Sequence, residues 1–164
     1  MELFQFILLL ATFLSSLVAG FLFGFAVVVM PGIKSLNDRE FIQAFQVMDR
    51  VIQNGQPIFL VVWAGSVATL AAAAVLGLWY LEGADRLLII VVTILYLLGV
   101  QLPTIAVNIP LNNQLQSLDL DTLDESAQRS TRIAFEPRWN LWNAIRTVIA
   151  SLASVLLLSL MLRL

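Results

Sequence analysis

The residues best suited to chemistry fall in two stretches. The first is Phe135-Glu136-Pro137-Arg138-Trp139-Asn140-Leu141-Trp142-Asn143-Ala144-Ile145-Arg146-Thr147. At helical spacing Trp139, Asn143, Arg146 and Thr147 share one stripe, which Ala150, Ser151 and Ser154 prolong, so one face is polar or small throughout. The second is Gln101-Leu102-Pro103, followed by Asn108, Asn112 and Asn113. With no Cys and no His in the chain, thiolate nucleophiles, imidazole bases, disulfides and the usual zinc and haem ligands are excluded. What remains is carboxylate, guanidinium, amide, hydroxyl and aromatic chemistry. Ordinary structural roles compete for the same residues: an interfacial belt for Trp139 and Trp142, headgroup contacts for Arg138, and a capped, kinked helix end for the Asn cluster.

The elements that position these residues follow from where charge is absent. Of 164 residues 60% are hydrophobic and only 12% charged, against roughly 45–50% and 25% in soluble proteins. Lipid is therefore the main solvent. A formal charge of −2 gives no footprint for nucleic acid, which is excluded as a partner. Charge is missing from Leu3 to Ile33, Val51 to Leu81, Leu87 to Leu118 and Thr147 to Leu162, and an ionised group at the bilayer centre costs at least about 2.5–3.5 kcal/mol. These stretches predict an all-α fold, a single integral membrane domain over 1–164 with spans at about 4–29, 57–80, 87–107 and 141–162 in a four-helix bundle. The last uncharged stretch covers only about 24 Å at 1.5 Å per residue. Asn143 and Arg146 are thereby held at the membrane boundary.

The first connection should carry an amphipathic surface helix. Asn37 and Glu40 have capping-box spacing, and Phe41, Phe45, Met48 and Ile52 recur with helical period. Asn54-Gly55 ends it and Pro57 starts the second span. The third connection, 108–140, should be long and partly helical, with a capping box at Thr122-Leu123-Asp124-Glu125 and a break at Pro137. Lys34, Arg39, Arg50, Arg129, Arg132, Arg138 and Arg146 lie on one side and only Arg86 and Arg163 on the other. By the positive-inside rule the long connections are cytoplasmic and both termini outside.

Asn108-x-Pro110-Leu111-Asn112-Asn113, then Arg132 and Trp139-x-x-x-Asn143-x-x-Arg146-Thr147, resembles the anthrone-oxygenase-like family of small four-helix membrane proteins. Ala19-Gly20, Pro31-Gly32 and Pro57-Ile58-Phe59 fit the same layout over nearly the whole chain. Most bacterial members carry no assigned role. The resemblance implies a bacterial plasma-membrane protein and, from the fungal branch, cofactor-independent oxygenation of anthrones to anthraquinones, without metal.

An enzyme of that kind would remove a proton from an acidic C–H of an apolar aromatic molecule and let the carbanion react with O2. Glu136 is the expected base, Asp49 and Asp124 being read as parts of solvated helix faces. Arg146, Arg138, Asn143 and Asn112 would stabilise the anion, Asn108 and Asn113 would add neutral donors, and Trp139 with helix 1 around Gly20 and Gly24 would wall a small apolar cavity. The rival reading is a non-catalytic accessory subunit or lipid-binding bundle. Expected partners are membrane lipid, a small apolar aromatic ligand, and a second copy or a membrane partner protein. No cofactor is called for.

Overall fold

The computed structural model describes residues 1–164 and contains five long helical elements and no strand. They are α1 (Glu2–Ile33), α2 (Asp38–Gln53), α3 (Pro57–Tyr80), α4 (Gly83–Gln116) and α5 (Glu125–Met161). All but α2 are long and apolar enough to cross a membrane. α1 packs against α3 and α5, and α4 packs against α5 and α3, which closes the four into a ring. Their core joins Phe4, Leu8, Ala11, Val18, Leu70, Ala73, Val92, Tyr96, Ala150, Ala153 and Leu157. Outward faces such as Phe13, Val61, Val91 and Val155 are exposed, as lipid-facing positions must be. Small residues set the approach between spans. At Gly99 a Cβ would lie 2.6 Å from Ile149 Cδ1, so α4 and α5 touch there through a missing side chain.

α2 is the expected amphipathic helix, and it covers one end of the ring. Asn37 Oδ1 accepts from Glu40 N at 2.9 Å and Glu40 Oε2 accepts from Asn37 N at 3.3 Å, completing the capping box. Gly55, at φ +76°, turns the chain into α3, whose first turn begins with Pro57 and is capped by Gln56. Under α2 lies a second core of Met30, Phe41, Ile42, Phe45, Leu111, Leu115, Phe135 and Trp139. Gln46 Nε2 donates to the carbonyls of Leu115 (2.8 Å) and Leu118 (3.1 Å), bolting α2 to the end of α4.

The connection 108–140 is partly helical, but its helical parts continue the flanking spans. α4 runs on to Gln116 and α5 begins at Glu125, capped by Asp124 Oδ1 accepting from Ala127 N at 2.7 Å, two residues on from the expected Thr122 cap. Pro137 does not stop α5. It and Ile133, whose carbonyl loses its helical partner, both lie on the exposed face, where the freed oxygen meets solvent rather than a packed neighbour.

Elsewhere prolines leave a mark. π-turns occupy Phe25–Val29, Leu97–Gln101 and Thr104–Asn108. Each contains the residue four before a proline: Val27 before Pro31, Gly99 before Pro103, Ala106 before Pro110. The proline lacks the N–H that would meet that carbonyl and its ring crowds it, and one wider turn absorbs both problems without a break. Two of the three turns sit on α4, and the second ends at Asn108.

Candidate functional site

Beneath α2 the ring does not close. A cavity of about 350 Å³ remains, lined by Phe21, Leu22 and Phe25 of α1, Phe45, Asp49, Ile52 and Gln53 of α2, Phe59, Leu60, Trp63 and Ala64 of α3, Thr104, Asn108, Ile109, Asn112 and Asn113 of α4, and Trp139, Asn143 and Arg146 of α5. Its size is at the lower end of the roughly 300–1,000 Å³ of small-molecule sites, and its wall is mostly apolar with a few convergent polar groups. Both stretches singled out in the sequence reach it.

Arg146 is 3% exposed. Its Nη1 donates to Thr104 Oγ1 at 2.8 Å and its Nη2 to Asn143 Oδ1 at 3.1 Å, while Asn143 Nδ2 is fixed by the Leu22 carbonyl at 3.1 Å. No carboxylate pairs with it. A desolvated guanidinium held only by neutral acceptors is short of an anion. Its carbon lies 6.0 Å from the Trp139 ring centre, so the indole is the next part of the wall.

Trp139 carries the wall to a carboxylate. Its Nε1 donates to Asn112 Oδ1 at 2.8 Å, and Asn112 Nδ2 donates to Asp49 Oδ1 at 2.7 Å. Gln53 Nε2 (2.6 Å) and Gln116 Nε2 (3.2 Å) both donate to Asp49 Oδ2. Asp49 is 5% exposed and has no cationic partner. Three amides therefore hold a carboxylate in place and leave lone-pair positions on it unfilled.

The other expected residues divide. Asn108 lines the cavity and donates to the Trp139 carbonyl at 3.4 Å, and Asn113 accepts from Gln53 Nε2 at 3.2 Å. Glu136 lies outside the cavity. It accepts from Arg132 Nε at 2.9 Å, and Arg132 also reaches Asp38 (3.2 Å) and the Lys34 and Leu36 carbonyls (both 2.8 Å) while covering the Phe41 ring at 4.4 Å. That cluster ties the α1–α2 link to α5. Arg138 is exposed. Gly20 and Gly24 face open space, with nothing within 4 Å of a Cβ built on either. Leu22, on the side of α1 opposite that small-residue stripe, and Phe21 and Phe25, on its flank, form the α1 wall instead.

Sequence reasoning passed over Asp49, Gln53, Trp63 and Thr104. Asp49 had a visible signal: Phe41, Phe45 and Asp49 are spaced by four, so a carboxylate continues the apolar stripe. The stripe was centred too narrowly. α2 rests on α5 and is also flanked by the end of α4, so its buried arc extends through Ile42, Gln46 and Asp49.

A family model described as anthrone oxygenase matches residues 50–156. No curated protein and no solved structure matches the chain. The matched segment holds Asn108, Asn112, Asn113, Trp139, Asn143 and Arg146, and it starts one residue after Asp49. Spanning well over half of the chain, it establishes that this protein belongs to the anthrone oxygenase family.

Proposed function

We propose that the protein oxygenates a small apolar aromatic ketone of the anthrone class, with Asp49 as base and Arg146 as the cation that receives the developing charge. One observation carries the reading: a buried carboxylate and a buried guanidinium, each without a counter-ion, line the same mostly apolar cavity. Neutral lipid binding gives no reason for either charge. An anthrone has an acidic ring methylene on one side of a ring and a carbonyl on the other. Removing one methylene proton moves charge to the carbonyl oxygen, where a preorganised Arg146, oriented by Thr104 and Asn143, stabilises it.

The resulting enolate passes one electron to O2, and recombination of radical and superoxide forms a C–O bond at the former methylene. Protonation by Asp49 gives a hydroperoxide. Loss of the second C–H proton with cleavage of the O–O bond leaves a carbonyl and one water, so substrate and O2 become quinone and H2O. Trp139, Phe45 and Phe59 supply flat walls for the ring. The excess of Lys and Arg around α2 and the connections supports placing this end at the cytoplasmic leaflet of a bacterial plasma membrane, termini outside. The test is incubation of purified protein with an anthrone under 18O2. One labelled oxygen in the quinone, formed faster than in protein-free detergent, supports the reading, and a rate equal to spontaneous autoxidation rejects it.

A further inference from the structure

The cavity has two borders through which a ligand could pass, and they are built differently. On the side of α2 the border is polar and bonded. Gln46, Asp49 and Gln53 each hydrogen-bond to the end of α4, and Gln116 Nε2 returns a bond to the Gln46 carbonyl at 2.7 Å. On the membrane side, between α3 and α4, the lining includes the apolar Leu60 and Ile109. These two helices form a hairpin that packs tightly near its turn, where a Cβ on Gly77 would lie only 3.0 Å from Ile89 Cγ2. Farther along, Ser66 Oγ and Tyr96 OH are 2.8 Å apart, and Trp63 Nε1 donates to Gln101 Oε1 at 2.9 Å.

Beyond Trp63 no hydrogen bond joins α3 to α4. Phe59 turns toward α1, its ring 5.4 Å from Phe21, and α3 packs closely against the Gly83–Tyr96 part of α4 but scarcely against the part beyond it, which leaves the stretch from Pro57 to Trp63, about 9 Å of helix rise, with little of α4 against it. Cavity-lining residues on the two sides of this gap are also on the protein's outer surface: Leu60 is 49% exposed and Ile109 is 44% exposed. Leu60 lies in the first turn of its span and Ile109 just past the expected end of the other, so both would meet lipid at the edge of the hydrocarbon layer.

We propose that the cavity is loaded sideways from the bilayer, through the slit between α3 and α4 flanked by Leu60 and Ile109, by flat apolar molecules dissolved in the lipid. Concentration in the membrane then sets occupancy, and the roof formed by α2 stays shut over Asp49. This rests on the cavity alone and holds whether or not oxygenation occurs.

The chain has no cysteine, so a reversible clasp can be built. L60C/I109C protein in phosphatidylcholine vesicles is joined by a bifunctional methanethiosulfonate, and anthracene loading is followed by energy transfer from tryptophan. R39C/D121C, joining a pair that already touches outside the cavity at 2.5 Å, controls for cross-linking as such, and singly labelled L60C and I109C control for added bulk. The expected result is a loading rate at least tenfold slower after the 60/109 clasp and restored by reduction, with little change from the control clasp. Loading that ignores the 60/109 clasp, or no loading by the wild-type protein, overturns the proposal. Loading through the slit with no oxygenation of an anthrone would reject the enzymatic reading and leave this one standing.

Discussion

Replacing Arg146 with Met separates a group kept for function from one kept for folding. The guanidinium makes two hydrogen bonds, to Thr104 and Asn143, and charge-assisted bonds contribute about 1.5–3 kcal/mol each. Against this stands the burial of an unpaired cation, which costs several kcal/mol even after relaxation. Methionine follows the same stem and fills most of the same volume. Thr104 keeps its bond to the Val100 carbonyl at 2.7 Å, so only the Asn143 oxygen is left without a donor. The opposing terms are of equal size, and the net change should stay within about 2 kcal/mol of zero, a shift in melting temperature below about 8 °C for a chain of this length. Turnover should fall about 10²–10³-fold, as when an oxyanion donor is removed. Tryptophan-fluorescence melts and anthrone oxidation on the same detergent preparation measure both. A variant that loses folded protein and activity in proportion, or one that keeps full turnover, refutes the argument.

Further outcomes follow from other contacts. Gly99→Ala drives a Cβ into Ile149 and should destabilise by about 1–3 kcal/mol, with Ile149→Ala in the same chain restoring part of the loss, whereas Gly20→Ala, in open space, should change the melting temperature by the equivalent of less than about 0.5 kcal/mol. Glu136→Gln should leave the turnover number within about twofold, because its partner is Arg132 rather than a substrate. Arg132→Met should cost about 2–5 kcal/mol, since it removes an ion-pair cluster and two carbonyl contacts at once, which thermal melts will show. Asn112→Leu cuts the link from Trp139 to Asp49 and should lower kcat about 10–100-fold with a smaller effect on anthracene affinity, a loss expected of a positioning residue.

The spans were legible because the bilayer imposes a simple rule on charge, and the α5 stripe because Trp139, Asn143, Arg146 and Thr147 repeat at helical spacing. Pro137 misled because proline forbids a hydrogen bond, not a helix, and its effect depends on whether the orphaned carbonyl faces outward. Which carboxylate lines the cavity was hidden for a similar reason. Glu136 lies next to Arg138 and Trp139 in sequence, yet its helix angle turns it to Arg132. Asp49 is nearly sixty residues from Asn108, and the two come to one cavity only when α2 folds over the ring. The glycines of α1 gave a spacing but not a direction: the side of α1 that faces the bundle carries Leu8, Ala11, Ser15, Val18 and Leu22.

The central claim is that Asp49 takes a proton from a ligand in the cavity, and anaerobic isotope exchange tests it apart from oxygen chemistry. An anthrone is incubated with the protein in D2O without O2, and deuterium entering the ring methylene is followed by mass spectrometry. The wild-type protein should accelerate exchange over buffer and detergent alone, and Asp49→Asn, nearly identical in shape, should slow it by about 10²–10⁴-fold while anthracene still binds. Exchange no faster than in buffer, or equal exchange by the wild-type and Asp49→Asn proteins, would contradict the account.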